Sequence, residues 1–369
     1  MNVSIGYASN GAKLGLDDGA SFTCGSLYVG DKLNTTVSHA NSVVASNSTI
    51  KTYQVFTVGV YGTNNTAEIY NTSVDANGAF TVGNGSSASN NVVRFIGSAT
   101  TLGYSNLYEP FFSSGCHNTV SFENGAAHTL VEGGDVYFSG KAHNNTLRIS
   151  GSGAQVVKAK MKFYMSVSNA NSYANSIIVE DGGKFEFYDM FVCRQDHCLV
   201  VSNGTLTTLR NDPASYSLHI GYIPTGSTAT TTNNSLVIQG DSPKVAFRYS
   251  GLSLANGSRL HFDVPASGMY ADVPIQVVNL RLTDSCILSA DVTDCLAAVQ
   301  RGKSKTMVLA EMHTGTNGAG QDVGGNLTIP QTVLDTANAT LPEKCRFYVD
   351  GRKLMLKIAK PGGLTCVIR

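Results

Sequence analysis

Short runs in which apolar and polar residues alternate follow one another along this chain. In "NNTLRISG", which starts at Asn144, Leu147 and Ile149 are two positions apart, and "NNSLVIQG", which starts at Asn233, repeats the pattern. A period of two places alternate side chains on one face of a strand. Each run therefore predicts a short β-strand with one buried face.

The same Asn-led phrase recurs through most of the chain, and most copies start about 22 to 30 residues apart, in the range of solenoid repeats. Asn tolerates the left-handed backbone conformation and suits a corner, and Gly or Asn-Gly often follows the strand as a second corner. The copies are "ANSVVAS" from Ala40, "NNTAEIY" from Asn64, "NNVVRFIG" from Asn90, "HNTVSFENG" from His117, "NNTLRISG" from Asn144, "ANSIIVEDGG" from Ala174, a degenerate "HCLVVSNG" from His197 and "NNSLVIQG" from Asn233.

A unit of two or three short strands cannot bury its apolar face alone, but stacked units bury it and pair each strand with its copies above and below. We therefore predict an all-β parallel solenoid over residues 1–282, with Asn145 and Asn175 stacked at one corner. The alternative is an antiparallel β-propeller or β-sandwich, against which the scarcity of hairpin turns argues. The residues predicted to point inward are Leu147, Ile149, Ile177, Val179, Leu236 and Ile238.

The pattern changes in residues 283–369, which we predict to form irregular final turns and a small C-terminal cap. "SADVTDCLAAVQRG" predicts a short helix, capped by Ser289 or Asp291 and followed by Gly302. "KTMVLAEM" predicts a strand, and "RFYVDGRKLMLKI" predicts a hairpin that turns at "DG". Such a cap would cover the unpaired edges at the end of a solenoid.

Phrases such as "NNSLVIQG", "NNTLRISG", "LYVGD" and "FTVGVYGTNNTAEI" resemble the tandem repeats of autotransporter passenger-type proteins. The resemblance covers roughly residues 1–265. It implies a right-handed parallel β-helix, which in that family is a secreted adhesin or surface scaffold. The chain carries neither that family's secretion signal nor its C-terminal membrane barrel, so the export route stays open.

Composition argues against some partners, whereas only the resemblance indicates a compartment. The 369 residues have a formal net charge of +0 and only 14% charged residues, which favours neither nucleic acid nor an anionic membrane. No apolar run approaches the roughly 18 residues of a membrane helix, so we expect no membrane insertion. The start, "MNVSIGYASNG", has no basic or apolar signal-peptide pattern.

Eight cysteines leave two interpretations open. The pairs Cys193–Cys198, Cys286–Cys295 and Cys345–Cys366 are close enough in sequence for local disulfides, and the even count weakly supports them. Alternatively, some of these cysteines are small apolar core residues.

Candidates for catalysis are weak. Asp17 and Asp18 are adjacent carboxylates, but they stand beside a glycine and are better explained as a corner. The richest polar segment is "DMFVCRQDHC", where Asp196 could orient His197 as a base beside Arg194. Its spacing fits no standard zinc motif, and an exposed loop closed by a disulfide is the simpler interpretation. We predict no catalytic residue, metal or cofactor.

The strongest candidate for ligand binding is the strand "VVKAKMKFYM". Alternation predicts that Lys158, Lys160 and Lys162 face solvent, while Val157, Ala159, Met161 and Phe163 face the core. Three aligned ammonium groups could bind an acidic glycan. A solvated face with weak contacts to Lys184 and Glu186 on the next turn is the alternative.

The sequence therefore predicts a non-enzymatic extracellular β-solenoid, a secreted or cell-surface scaffold or adhesin that binds glycan or protein surfaces. The alternative is a polysaccharide lyase or glycoside hydrolase on the same fold, for which the absence of tryptophan lowers the expectation. A deep groove lined by three or more convergent Asp, Glu, Lys or Arg side chains would favour the enzyme, and a smooth rod would favour the scaffold. The oligomeric state stays open.

Overall fold

The chain folds as a stack of parallel coils. The computed structural model describes residues 1–31, 38–104, 111–130, 136–137, 141–165, 172–210, 216–223, 230–316 and 322–361. The structure is nearly all β, with 52% strand and 5% helix, and its coils form a β-solenoid of about 9 turns. The predicted parallel β-solenoid is confirmed.

Within the described residues, strands stack on three faces. Face A consists of Lys13–Leu16, Ser42–Ser46, Thr66–Tyr70, Val92–Ile96, Thr119–Glu123, Thr146–Ser150, Ser176–Glu180, Cys198–Ser202, Ser235–Gln239, Arg259–Asp263 and Ile287–Asp291. Face B consists of Ser21–Cys24, Thr49–Thr52, Ser73–Ala76, Thr101–Tyr104, Ala127–Leu130, the first parts of Gln155–Tyr164 and Lys184–Val192, Thr205–Thr208, Lys244–Phe247, Ile275–Val277 and Ser304–Met312.

Face C completes each coil. It consists of Val3–Ile5, Leu27–Val29, Val55–Val58, Ala79–Val82, Val136–Tyr137, the last parts of Gln155–Tyr164 and Lys184–Val192, Leu218–Ile220, Leu252–Leu254, Asn279–Leu282 and Asn326–Thr328. Every strand pair within these three faces is parallel apart from the C-terminal hairpin, since each strand pairs with its counterpart one coil away.

An asparagine ladder runs along the corner before face A, as predicted. Successive side-chain amides donate from Nδ2 to the next Oδ1 at 2.9–3.2 Å, and each Oδ1 also accepts a backbone N–H. The ladder consists of Asn41, Asn65, Asn91, Asn118, Asn145 and Asn175, all fully buried. The residue before each one has a positive φ, which explains the frequent double Asn.

A Val-Gly pair, the "VG" phrase, recurs at the ends of face C strands, and its glycines lie beside this ladder. Gly30, Gly59 and Gly83 follow face C strands with φ of 72–73°. A Cβ at Gly59 would overlap the amide of Asn91. The phrase therefore combines a left-handed corner with the close approach that the ladder requires.

The core is the space between the three faces. The inward predictions for face A are confirmed, because all six residues from Leu147 to Ile238 are fully buried. Phenylalanines from different faces meet there, as Phe56 and Phe95 both pack edge-on against Phe80 at 5.6 Å between ring centroids. Stacked coils thus bury apolar area that a single coil would expose.

Helices and a hairpin follow the last coils. The predicted short helix is α1, Thr293–Ala298, and Asp291 accepts a hydrogen bond from the Thr293 amide at 2.9 Å. The hairpin Arg346–Asp350 with Lys353–Ala359 is also confirmed, and it extends face B by antiparallel pairing with Ser304–Met312.

Two further elements of this region were not predicted. Helix α2, Gln331–Thr340, packs against Ile287–Asp291. The strands Thr314–Thr316 and Asp322–Gly324 form a small antiparallel pair.

The described cysteines form no disulfide with one another, so the proposed disulfides Cys193–Cys198 and Cys286–Cys295 are wrong. Cys193 and Cys286 are buried in the core, which bears out the alternative that they are small apolar residues. Cys345 is also a buried thiol, and its suggested partner Cys366 lies outside the described residues.

Candidate ligand-binding groove

The lysine strand does not form the predicted basic face. Lys158 is fully buried, and its Nζ lies 2.7 Å from Nε2 of His128 and 4.7 Å from the Phe111 ring centroid. Burial lowers the pKa of the Lys158 ammonium well below its usual value, because the apolar interior disfavours the charge. The prediction that Lys158 points to solvent is therefore wrong.

A bulge explains the error. The pairing of Gln155–Tyr164 with the next coil shifts register between Lys158 and Lys162. The four steps from Lys158 to Lys162 lie opposite only two steps, from Phe187 to Asp189, and the extra residues of this bulge break the strict alternation of sides. Phe163 is buried as expected, whereas Val157 and Lys158 have exchanged the predicted sides. Lys162 is exposed, the Lys160 side chain lies outside the described set, and a ligand role for the exposed lysine stays a prediction.

The segment with Arg194, Asp196 and His197 is a corner rather than a catalytic loop. His197 is fully buried and takes the place of an asparagine in the corner ladder: its Nδ1 accepts the Asn175 amide at 3.1 Å, and its own amide donates to Asn234 Oδ1 at 3.0 Å. Asp196 is exposed with a positive φ.

The imidazole of His197 is held neutral. Burial lowers its pKa to about 4. Because Nδ1 accepts a hydrogen bond, the proton is on Nε2, which is buried with no hydrogen-bond partner. His197 points away from Asp196 and from solvent, so the suggested Asp–His pair does not form.

An aromatic stack on face C is a candidate surface for packing against sugar rings. Phe191 stacks on Tyr164 at 5.0 Å and on His219 at 4.9 Å, with interplanar angles of 21° and 5°. Rings stacked in this way cover each other's faces and turn their edges outward. Sugar rings would need an exposed ring face, so this stack stabilises neighbouring coils instead.

The outer side of face B holds an open groove of about 650 Å³. Its floor is Ala246, whose neighbours on the adjoining coils are Thr207 and Gln276. Because Val245 and Phe247 are buried, alternation turns Lys244, Ala246 and Arg248 outward. The depression exists because one small side chain is surrounded by long ones.

Charged side chains from several coils line this groove. Lys184 and Glu186 lie two coils to one side of the floor and form an ion pair at 2.9 Å. Glu311 lies two coils to the other side and pairs with Lys353 at 3.1 Å. Each groove carboxylate therefore already has a lysine partner.

Lys244 and Arg248, the two cations beside the floor residue Ala246, differ from these ion-paired groups. Within the described parts of the chain, Lys244 and Arg248 form no ion pair with a carboxylate. The Arg248 guanidinium lies 5.0 Å from the Tyr249 ring, and its carbonyl accepts a hydrogen bond from His313 Nε2 at 3.2 Å. The groove thus has two positive charges that no carboxylate of the described residues neutralises.

The carboxylates are too far apart for paired acid–base work. Four coil steps separate Glu186 from Glu311 through Thr207, Ala246 and Gln276. At about 4.8 Å a step, this is about 19 Å. Glycosidase carboxylates lie about 5 to 9.5 Å apart. The described residues also contain no group of three or more His, Cys, Asp or Glu side chains placed to hold a metal ion.

The sequence predicted only part of this groove. It placed Lys184 and Glu186 on the coil after the lysine strand, which is confirmed. It missed Lys244, Arg248 and His313. The alternation in "KVAFR" could have indicated two outward cations, but no local pattern shows which coils lie beside them.

No family model, curated protein or solved structure matches the chain. Neither helix in the described part of the chain is long and apolar enough to cross a membrane.

Proposed function

We propose that this chain is a non-enzymatic surface scaffold or adhesin, similar to autotransporter passengers, that is secreted or displayed at the cell surface. It binds glycan or protein surfaces through the outer side of its solenoid. The observation that carries the proposal is the face B groove. Its cations Lys244 and Arg248 have no carboxylate partner in the described parts of the chain, and its carboxylates are about 19 Å apart by the coil spacing.

The solenoid itself supports a binding role. Parallel coils present their outward side chains in rows, so a long ligand meets the same kind of surface at several successive coils. On face B, three rows cross the groove and supply hydroxyl, amide and charged groups. Binding of this kind is spread over a face and needs no single reactive residue.

A polysaccharide lyase is the second candidate. Lyases need a cation to neutralise an acidic sugar and a base to remove a proton. Lys244, Arg248 and His313 line the same groove, which supports this alternative. The hydrolase alternative has less support, because the two groove carboxylates are far apart and each is ion-paired.

The test measures retention and cleavage together. The purified chain is incubated with immobilised neutral and acidic polysaccharides, and bound protein is measured beside newly formed reducing ends and unsaturated sugars. We expect retention without product. Product that is lost in His313→Gln would refute the scaffold and support the lyase, and retention on no glycan or intact cell surface would refute both.

Location is tested separately. Antibodies against the chain should label intact source cells or detect it in the medium. Detection only after the cells are lysed would contradict the extracellular part of the proposal.

A further inference from the structure

We propose that the face B groove is a site for an acidic glycan, whose carboxylate or sulfate group lies between Lys244 and Arg248 while sugar hydroxyls meet the floor. This inference rests on the proposed binding function and specifies its ligand chemistry. It places the main binding site away from the lysine strand, where Lys158 is buried.

The charge arrangement selects an anion. Lys184 and Lys353 each pair with a groove glutamate, so an incoming ligand meets little uncompensated negative charge. Lys244 and Arg248 are exposed and, in the described parts of the chain, have no carboxylate partner. An anionic ligand would therefore gain two charge-assisted contacts without breaking an existing ion pair.

Spacing places both cations around one position. Lys244 begins the strand Lys244–Phe247 and Arg248 follows its last residue, with Ala246 between them. A fully extended path of four residues would separate their Cα atoms by at most about 13 Å. Both have long flexible stems that can turn toward the floor. Because Ala246 contributes only a methyl group, space for one anionic group remains between the two charged heads.

The floor favours a sugar acid over a bare inorganic anion. The Thr207 hydroxyl donates to the Ala246 carbonyl at 2.8 Å, and Gln276 Nε2 donates to Asp272 at 3.1 Å. The Thr207 oxygen and Gln276 Oε1 therefore remain as acceptors, and the second Nε2 proton of Gln276 remains as a donor. His313 Nδ1 is an acceptor as well, because Nε2 donates to Arg248. Acceptors match sugar hydroxyls, which donate.

The groove is long enough for more than one sugar. It extends over the four coil steps between Glu186 and Glu311, about 19 Å. Its open form suits a chain that passes across the solenoid rather than a small enclosed molecule. An oligosaccharide with a repeating acidic unit is therefore the expected ligand.

Titration calorimetry tests the site with four probes: a polyuronate oligosaccharide, a sulfated oligosaccharide, a neutral oligosaccharide of similar length and single-stranded DNA. We expect one or both acidic glycans to bind, with weaker binding at high salt. Lys244→Gln with Arg248→Gln should weaken that binding at least tenfold. Ala246→Phe, which keeps both charges and fills the floor, should weaken it similarly.

The matched control is Lys13→Gln with Arg259→Gln, which removes the same charge from exposed positions on face A, away from the groove. This control should bind as wild type. Equal losses in both double variants would overturn the site in favour of general charge attraction. Equal binding of the neutral glycan, or preference for DNA, would overturn the acidic-glycan ligand.

The two proposals fail differently. If an acidic glycan binds but Lys244→Gln with Arg248→Gln has no effect, the groove site is wrong and the binding scaffold stands. If no glycan binds to wild type and no cell surface retains it, the proposed function itself fails. Unchanged far-ultraviolet circular dichroism verifies that each variant is folded.

Discussion

At His197 the corner ladder carries an imidazole between two asparagines, Asn175 and Asn234. Replacing it by asparagine should extend the ladder chemistry through this coil. His197→Asn also removes the buried Nε2 that has no hydrogen-bond partner. We expect this substitution to flatten the dependence of stability on pH in the mildly acidic range.

The magnitude follows from the pKa of His197, which is about 4 in the folded chain against 6.5 for the free side chain. Between these values the unfolded chain binds more protons, so wild-type stability falls as the pH falls from 6.5 to 4. At about 1.4 kcal/mol per pKa unit, the full loss is about 3 kcal/mol. From pH 7.5 to pH 5, it is about 2 kcal/mol.

His197→Asn has opposing effects at neutral pH. Removing a buried unsatisfied donor relieves about 1–3 kcal/mol. The smaller side chain leaves space, which costs about 1 kcal/mol. The free energy of unfolding at pH 7.5 should therefore stay the same or rise slightly, and the pH dependence decides the question.

Urea unfolding at pH 7.5 and pH 5, followed by circular dichroism, measures the effect. Wild type should lose about 2 kcal/mol more than His197→Asn over this range, with unchanged m-values. The control is His117→Asn, the same substitution at an exposed corner residue. His117→Asn should keep the wild-type pH dependence. If His197→Asn keeps it too, the assignment of a neutral buried imidazole is refuted.

Two further predictions concern the ladder and the buried lysine. Asn145→Ala removes an amide that accepts from Asn118 and donates to Asn175 and Gly115, so urea unfolding should show a loss of about 2–3 kcal/mol; a loss below 0.5 kcal/mol would contradict the ladder. Lys158→Met should raise stability at pH 7 by about 1 kcal/mol or more, because it replaces a buried amine by an apolar chain of similar length. Since the Lys158 pKa is lowered by burial, wild-type stability should also rise toward pH 10, and Lys158→Met should lack that rise. Lower stability of Lys158→Met, or weaker glycan binding, would show that the amine has a role that burial does not explain.

The sequence by itself determined the repeating part of the fold. Alternation at Leu147 and Ile149 identified buried positions because a strand has only two sides. The Asn pairs identified the corner because Asn is suited both to positive φ and to a hydrogen-bonded ladder. These are local rules repeated at every coil, so each copy reinforced the same prediction.

Only the tertiary structure decided where the repeat pattern breaks and which residues form the groove. The bulge between Lys158 and Lys162 reversed the sides of the lysine strand, and strict alternation cannot show where such a shift occurs. The ladder role of His197 became visible only when Asn175 and Asn234 were placed on either side of it. The groove around Ala246 combines residues from strands far apart in sequence. Which side chains meet there depends on how many residues each coil contains, and that register is a property of the stacked coils rather than of any single segment.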